Sequence, residues 1–337
     1  MAKNRVYVFP TILKGEKKKN SYIENLISAL SDTGSEVINF RNVRKRGVAD
    51  LFLHLDANKF VLNWPENLAA RKYGGIQVLL YFVFLLAAKG LRKNLIFILH
   101  NKKAHNHTSF LSKLCLSYTA RWSNSVLTHS KDGLAYYRST YGKNNVYFFP
   151  HPVYPEARFV ASDKNLYDFI IWGSIEPYKN VLGFLEYLVS DGRADKYKIL
   201  VCGSCKNQTY ASQIDVICRS YPNITFRNEF LSEQVLGQYI AESKAILFTY
   251  NESSVLSSGA LVYSLGSRKV IIGPAVGSFK ELSKEGLIAT YTTFSQIFDL
   301  YKTFQPDVDK IEDYLTNNTW QAFARFVDSH KTGAEIQ

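Results

Sequence analysis

At 337 residues the chain exceeds what one hydrophobic core usually supports, so two domains of about 150 to 170 residues are expected. Its 46% hydrophobic and 21% charged content is that of a globular protein, and nothing repeats at a fixed period or is low in complexity. The net charge of +12 is unevenly held: residues 1–160 carry 24 Lys and Arg against 9 Asp and Glu, whereas residues 161–337 carry 17 against 20. So basic a first half either serves solubility or meets an anionic partner such as phospholipid headgroups, a phosphorylated acceptor or nucleic acid. Nucleic acid has no supporting motif, because the aromatics sit in apolar runs and are not interleaved with Lys and Arg.

Arg5 to Phe9 is a β-like run, too short for a signal-peptide core and followed by Lys14, Lys17, Lys18 and Lys19; a cytoplasmic protein is expected. An amphipathic helix over Ser21 to Leu30 presents Ile23, Leu26, Ile27 and Leu30 on one face. Glu36 to Phe40, Asp50 to Leu55 and Phe60 to Trp64 are further β-like runs, the last ending in Asn63-Trp64-Pro65-Glu66. Strand ends in parallel α/β sheets carry ligands, which makes Glu66 a candidate carboxylate, or else the cap of the next helix. Ile76 to Ala88 is the most apolar run, bracketed by Arg71, Lys72, Lys89, Arg92 and Lys93. It falls short of the ~20 residues that cross a bilayer, leaving a core or groove-lining helix, or an interfacial one.

Leu95 to Leu99 is a strand ending in His100-Asn101-Lys102-Lys103-Ala104-His105-Asn106-His107. Three histidines there can be a metal site, though no carboxylate lies near; a buried structural His100; or hydrogen-bonding groups for a sugar hydroxyl, with the lysines facing anions. Ser125 to Thr128 and Val146 to Phe149 are the next strands, and Pro150 to Ala161 is the expected interdomain linker.

A second β-α series opens at Phe169 to Trp172, followed by Gly173-Ser174-Ile175-Glu176-Pro177-Tyr178-Lys179-Asn180 and a helix from Val181. A glycine turn at a strand end lets backbone approach a ligand, and a lysine at the next helix can meet phosphate. Cys202-Gly203-Ser204-Cys205 has redox spacing but closes an apolar strand, and no second Cys/His pair completes a zinc site. Between Tyr250 and Leu282 a polar turn leads through Ser257-Ser258-Gly259 into the helical run Ala260 to Leu265, then the strand Val270 to Ile272. That helix start is either an anion cradle or a serine-capped core helix. Neither half contains GxGxxG, which weakens a dehydrogenase reading.

Taken in order, several of these motifs resemble the GT-B glycosyltransferases related to family 4, which build bacterial exopolysaccharide, capsule and O-antigen. They are Asn63-Trp64-Pro65-Glu66, His100-Asn101 with His105, Pro150-His151-Pro152, Gly173 to Asn180, and Ser258-Gly259-Ala260-Leu261 with Gly266. The resemblance implies an α/β fold of two doubly wound, Rossmann-like domains facing each other across a cleft. Residues 1–152 would bind acceptor, residues 153–318 the nucleotide sugar, and residues 319–337 would form a helix crossing back to the first domain. It places Gly173, Ser174, Tyr178, Lys179, Glu252, Ser257, Ser258 and Gly259 at the donor, and Asn63, Trp64, Asn101 and Lys102 at the acceptor. His105, His100 or Glu66 would act as base if the reaction inverts, or orient substrate if it retains. No metal or other cofactor is implied, and the donor would be UDP- or GDP-linked. Two departures stand out: Glu252 can represent the first of the family's paired glutamates, but Leu261 lies where the second is expected, and Ser174 or Ile175 replaces the usual arginine. The expectation is therefore a hexosyltransferase at the inner face of the membrane, acting on a lipid-linked or oligosaccharide acceptor and held by its basic first domain. The alternative is a catalytically silent sugar-nucleotide-binding module.

Overall fold

Six short strands from the first part of the chain, apolar on both faces where they lie centrally, pair into one parallel sheet. They are β1 (Arg5–Phe9), β2 (Glu36–Val37), β3 (Lys59–Asn63), β4 (Asn94–Leu99), β5 (Ser125–Thr128) and β6 (Val146–Phe148), in the order β2-β1-β3-β4-β5-β6. The computed structural model describes residues 4–12, 21–39, 47–103, 109–153, 159, 164–251 and 255–330. Contacts divide the chain into two units, the first comprising residues 1–152, 254–257 and 318–337, the second residues 153–253 and 258–317.

The first sheet is covered on both faces, as a parallel sheet must be. Alternation along each strand sorts the residues: Tyr7, Phe60, Leu62 and Phe97 join one core with Tyr81 and Phe84, whereas Val8, Val61, Ile96 and Ile98 join another with Ile23, Leu26 and Leu30. Into that second core the last helix, Trp320–Ser329, inserts Trp320, Phe323, Ala324 and Val327. Its end is tied down by Asp328, whose carboxylate pairs with the buried Lys59 ammonium at 2.9 Å and accepts from Asn4 at 2.9 Å and Ser35 at 2.8 Å.

Two expected strands differ. Residues 50–55 contain the helix Ala49–Leu53, since a short apolar run carries no period that separates helix from strand. Its Asp50 turns inward to accept a hydrogen bond from Tyr7 Oη at 2.7 Å. The strand expected over residues 36–40 stops at Val37, because Asn39 substitutes side chain for backbone: its Oδ1 accepts from Val8 N at 3.1 Å and its Nδ2 donates to Val8 O at 2.7 Å. Phe40 lies outside the described residues, as do Lys14, Lys17, Lys18, Lys19 and most of the expected linker.

The second unit repeats the plan with β7 (Tyr167–Trp172), β8 (Ile199–Cys202), β9 (Ile224–Arg227), β10 (Ser243–Leu247), β11 (Val270–Pro274) and β12 (Ala289–Tyr291). All pairs are parallel and the order is β9-β8-β7-β10-β11-β12. The chain thus steps outward from β7, then returns to β10 on its other side. Such a reversal opens a crevice beyond the carboxyl ends of the two strands, where doubly wound sheets hold ligands. In the first unit the reversal falls between β1 and β3.

Candidate functional site

At the reversal of the second unit, β7 runs into Gly173, whose φ of +109° suits glycine. A Cβ there would lie 2.9 Å from Lys179 Nζ, and one on Gly203 would meet Gly173 O at 1.8 Å. Gly203 therefore needs glycine for close approach and Gly173 for its backbone conformation, and Lys179 folds its ammonium back over the glycine turn. The loop after β7 is stitched to the chain leaving β10 by two bonds: Thr249 Oγ1 donates to Lys179 O at 2.5 Å, and Asn251 N to Tyr178 O at 3.2 Å. Between them stands Tyr250, packed by Phe248 and Phe279. Its ring lies 5.5 Å from Lys179 Nζ, and its hydroxyl is 3.2 Å from Ser258 Oγ. Ser258 also caps the helix Gly259–Leu265, accepting from Leu261 N at 3.3 Å. Tyr250 thereby joins the lysine turn to the Ser258-Gly259 turn. Burial pushes its phenol up to about 12, so it is a neutral hydroxyl at pH 7.

Lys179 is only 6% exposed. Burial pulls its pKa below that of an ordinary lysine, opposed by Tyr178 and Glu176. Among the described residues no carboxylate or hydrogen-bond acceptor pairs with its Nζ, which meets only the Tyr250 ring face. A buried ammonium is costly unless an anion pairs with it. Ser174 and Gly259 are exposed, and Tyr178, Ser257 and Ser258 half-buried; Ser257 belongs to the short segment that groups with the first unit. Glu252 lies outside the described residues. Leu261, at the place of the missing second glutamate, is fully buried. Cys202 and Cys205 are free and buried, and burial raises both thiols, Cys202 to about 12, which removes thiolate chemistry at neutral pH.

At the reversal of the first unit the expected residues are also brought together. Asn63 Nδ2 donates to Phe9 O at 2.9 Å, which aims its Oδ1 at His100 Nε2, also at 2.9 Å. Because Oδ1 only accepts, His100 carries its proton on Nε2 and leaves the Nδ1 lone pair without a protein partner among the described residues. Burial, with His129 and His151 nearby, holds His100 far below the usual imidazole pKa and so neutral. Trp64, with a left-handed φ of 48°, stacks on its ring at 4.2 Å. Glu66 lies in the turn Pro65–Ala70, buried; desolvation lifts its carboxyl to about 7, partly offset by its own backbone and by a hydrogen bond from Asn101. Its Oε2 is buried without a hydrogen-bond partner among the described residues, and its charge raises the pKa values of Tyr81 and Cys115. Asn101 forms an antiparallel bridge with Val255, and Lys102 Nζ lies 5.9 Å from the Tyr136 ring. His105 lies outside the described residues.

Sequence reasoning gave no site role to Tyr22, His129, His151 or Trp320. His129 Nδ1 donates to Phe149 O at 2.9 Å, so its Nε2 accepts from Tyr22 Oη at 2.6 Å. Tyr22 contacts His100, His151 and Trp320 edge-on, at 4.7, 5.5 and 5.0 Å. Burial lowers His129 to about 3 and His151 to about 4. Their positions just past the ends of β5 and β6 were the available signal. Among the described residues no group of three His, Cys, Asp or Glu is arranged to hold a metal, and no helix is long and apolar enough to cross a membrane.

No protein-family model matches the sequence, and no curated protein matches it. Solved structures do match, over nearly the whole chain. A glycosyltransferase from Rickettsia africae is similar at a TM-score of 0.69 and 9% identity, covering 99% of this chain and 100% of that one. Sucrose-phosphate synthase from Thermosynechococcus elongatus gives 0.67 and 10%, covering 97% and 98%. Anabaena HepE in complex with UDP-glucose gives 0.64 and 11%, covering 97% and 96%. With its two six-stranded parallel sheets, the chain has the GT-B fold, in the α/β class.

Proposed function

We propose that this chain is a glycosyltransferase that moves a hexose from a UDP- or GDP-linked donor to a lipid-linked or oligosaccharide acceptor in bacterial surface polysaccharide synthesis. The observation that carries the reading is the buried ammonium of Lys179, folded over Gly173 at the reversal of the second sheet with no ion pair among the described residues. The similarity to HepE, solved with UDP-glucose, supports it. In this reading the second unit binds the donor and the first the acceptor. Lys179 meets the diphosphate, with Gly173, Ser174, Tyr178 and the Ser257-Ser258-Gly259 turn around it and Glu252 toward the sugar nucleotide. As the bond from the anomeric carbon to the β-phosphate oxygen breaks, negative charge grows on the leaving diphosphate, and the lysine stabilises it without a metal. In the first unit, Asn63 and Trp64 fix the His100 ring so that Nδ1 accepts a hydrogen bond from the acceptor hydroxyl, with His105, Asn101 and Lys102 alongside. Glu66 sets the charge behind Asn101. The protein works in the cytoplasm, peripherally at the inner face of the membrane, where its basic first unit meets anionic lipid.

Lys179→Met tests the carrying observation by two opposed readouts. Removing a buried charge raises the thermal stability of the ligand-free protein, while stabilisation by UDP or GDP is lost. A variant that UDP or GDP stabilises as well as wild type overturns the assignment. Full burial of Leu261, where a ribose-binding glutamate is expected, favours a second reading as a catalytically silent nucleotide-sugar-binding module. Nucleotide release from UDP- and GDP-sugars in the presence of a lipid-diphosphate acceptor separates the two.

A further inference from the structure

The run over residues 76–88 forms the helix Gly74–Gly90, 17 residues and about 25 Å long. One face is core: Val78, Tyr81, Phe84, Leu85 and Ala88 are buried. The opposite face is apolar too, yet open to solvent. Ile76, Leu79, Val83 and Leu86 follow at spacings of three and four residues and are 61%, 65%, 46% and 58% exposed. A helix apolar all round is expected to be covered all round, and contiguous exposed apolar patches mark interaction sites. The stripe continues sideways. Beside Ile76, a mainly apolar groove of about 320 Å³ is walled by Val48, Ala49, Tyr73, Gln77 and Leu80. On the other flank Phe82 packs edge-on against the part-exposed Tyr118 of the helix Phe110–Trp122 at 5.2 Å.

The charge of the chain segment that carries the stripe names its partner. From residue 67 to residue 131 the sequence has no Asp or Glu but ten cations: Arg71, Lys72, Lys89, Arg92, Lys93, Lys102, Lys103, Lys113, Arg121 and Lys131. Lys72 stands just before the helix, Lys89 in its last turn and Arg92 just after it, all exposed. Lys113 and Arg121 are exposed on the neighbouring helix, and Lys89 Nζ lies 5.6 Å from the Trp122 ring. A protein partner would have to bring a carboxylate rim around an apolar centre. A bilayer with anionic headgroups presents that arrangement over any area, taking apolar side chains below the headgroups and cations among them.

We propose that the helix Gly74–Gly90 lies in the membrane interface, with Ile76, Leu79, Val83 and Leu86 inserted below the headgroups and the cationic rim selecting an anionic leaflet. This rests on the membrane part of the reading above and names the element that does the docking. It makes binding part electrostatic and part hydrophobic, so salt weakens attachment without abolishing it.

Flotation of the full chain with vesicles of phosphatidylglycerol and phosphatidylcholine tests this. The wild type is expected to float with anionic vesicles and to retain a fraction bound in 0.5 M NaCl. Leu79→Glu with Leu86→Glu, both at exposed positions, is expected to weaken binding at least tenfold without altering circular dichroism or melting. A tryptophan introduced as Leu79→Trp is expected to be quenched by lipids brominated along the acyl chain. Equal binding of the double variant overturns the helix assignment while leaving electrostatic attachment standing. Absence of wild-type binding overturns both. Concentration-dependent dimers that the double variant abolishes, with no vesicle binding, overturn the proposal in favour of a second copy covering the face.

Discussion

Glu66→Gln isolates the energetics of the first unit's reversal. The carboxyl titrates at about 7 in the fold against 4.5 in the unfolded chain, because burial disfavours its charged form, and among the described residues Oε2 has no partner. Below pH 4.5 both states are protonated and the group contributes nothing to pH dependence. Between 4.5 and 7 the folded state holds the proton more tightly, so stability falls as pH rises; above 7 the full cost is present. A gap of two and a half units corresponds to about 3 kcal/mol. Glutamine carries no titrating charge, so variant-minus-wild-type stability grows by about 3 kcal/mol between pH 4 and pH 9, whatever constant offset the amide adds. Hydrogen exchange of the β3 and β4 amides, read across that range, reports the stability of the first unit alone. The difference cancels the other titrating groups. A difference flat with pH refutes the buried, ionisation-resistant carboxyl and, with it, any role for Glu66 as a neutral-pH base.

Lys179→Ala is expected to cut turnover by about a hundredfold or more, the scale of losing one charge-stabilising group at a leaving phosphate, with circular dichroism unchanged; full activity denies it the donor site. All seven histidines lie in the first unit and none in the second. Since burial depresses His100, His129 and His151, their unfolded forms take up protons first as pH falls below about 6.5. The first unit should therefore lose stability between pH 6.5 and 5 while the second holds, a contrast that exchange rates in the two sheets measure. Asp328→Ala removes the carboxylate that pairs with the buried Lys59 ammonium, leaving it backbone carbonyls alone, and should destabilise the first unit by about 3 kcal/mol. Chemical denaturation reads that loss, and Lys59→Met with Asp328→Ala should recover most of it. Tyr22→Phe leaves His129 Nε2 without its donor and should cost about 1–3 kcal/mol.

What the sequence showed follows from where its information is local. Fully apolar runs ending in Gly, Pro, His or Asn marked most strands and, with them, the strand ends where Gly173, Lys179, Asn63 and His100 lie. Sheet order was invisible, because pairing β7 with β10 depends on residues 76 positions apart; yet that pairing brings the Gly173 turn and Tyr250 together. Tyr250 itself could not be singled out, being one of 22 tyrosines until its ring is found between Lys179 and Ser258. Asp50 and Asn39 defeated the strand expectations for a related reason: each side chain satisfies backbone or hydroxyl partners on β1 that pattern alone assigns to no one. The apolar run over residues 76–88 shows the limit most plainly. Its composition fits burial and membrane contact equally, and only the burial of Tyr81 and Phe84 beside the exposure of Leu79 and Leu86 shows that one helix carries both a core face and an open apolar face. Composition specifies what a face wants; which faces the rest of the chain leaves uncovered is a property of the fold.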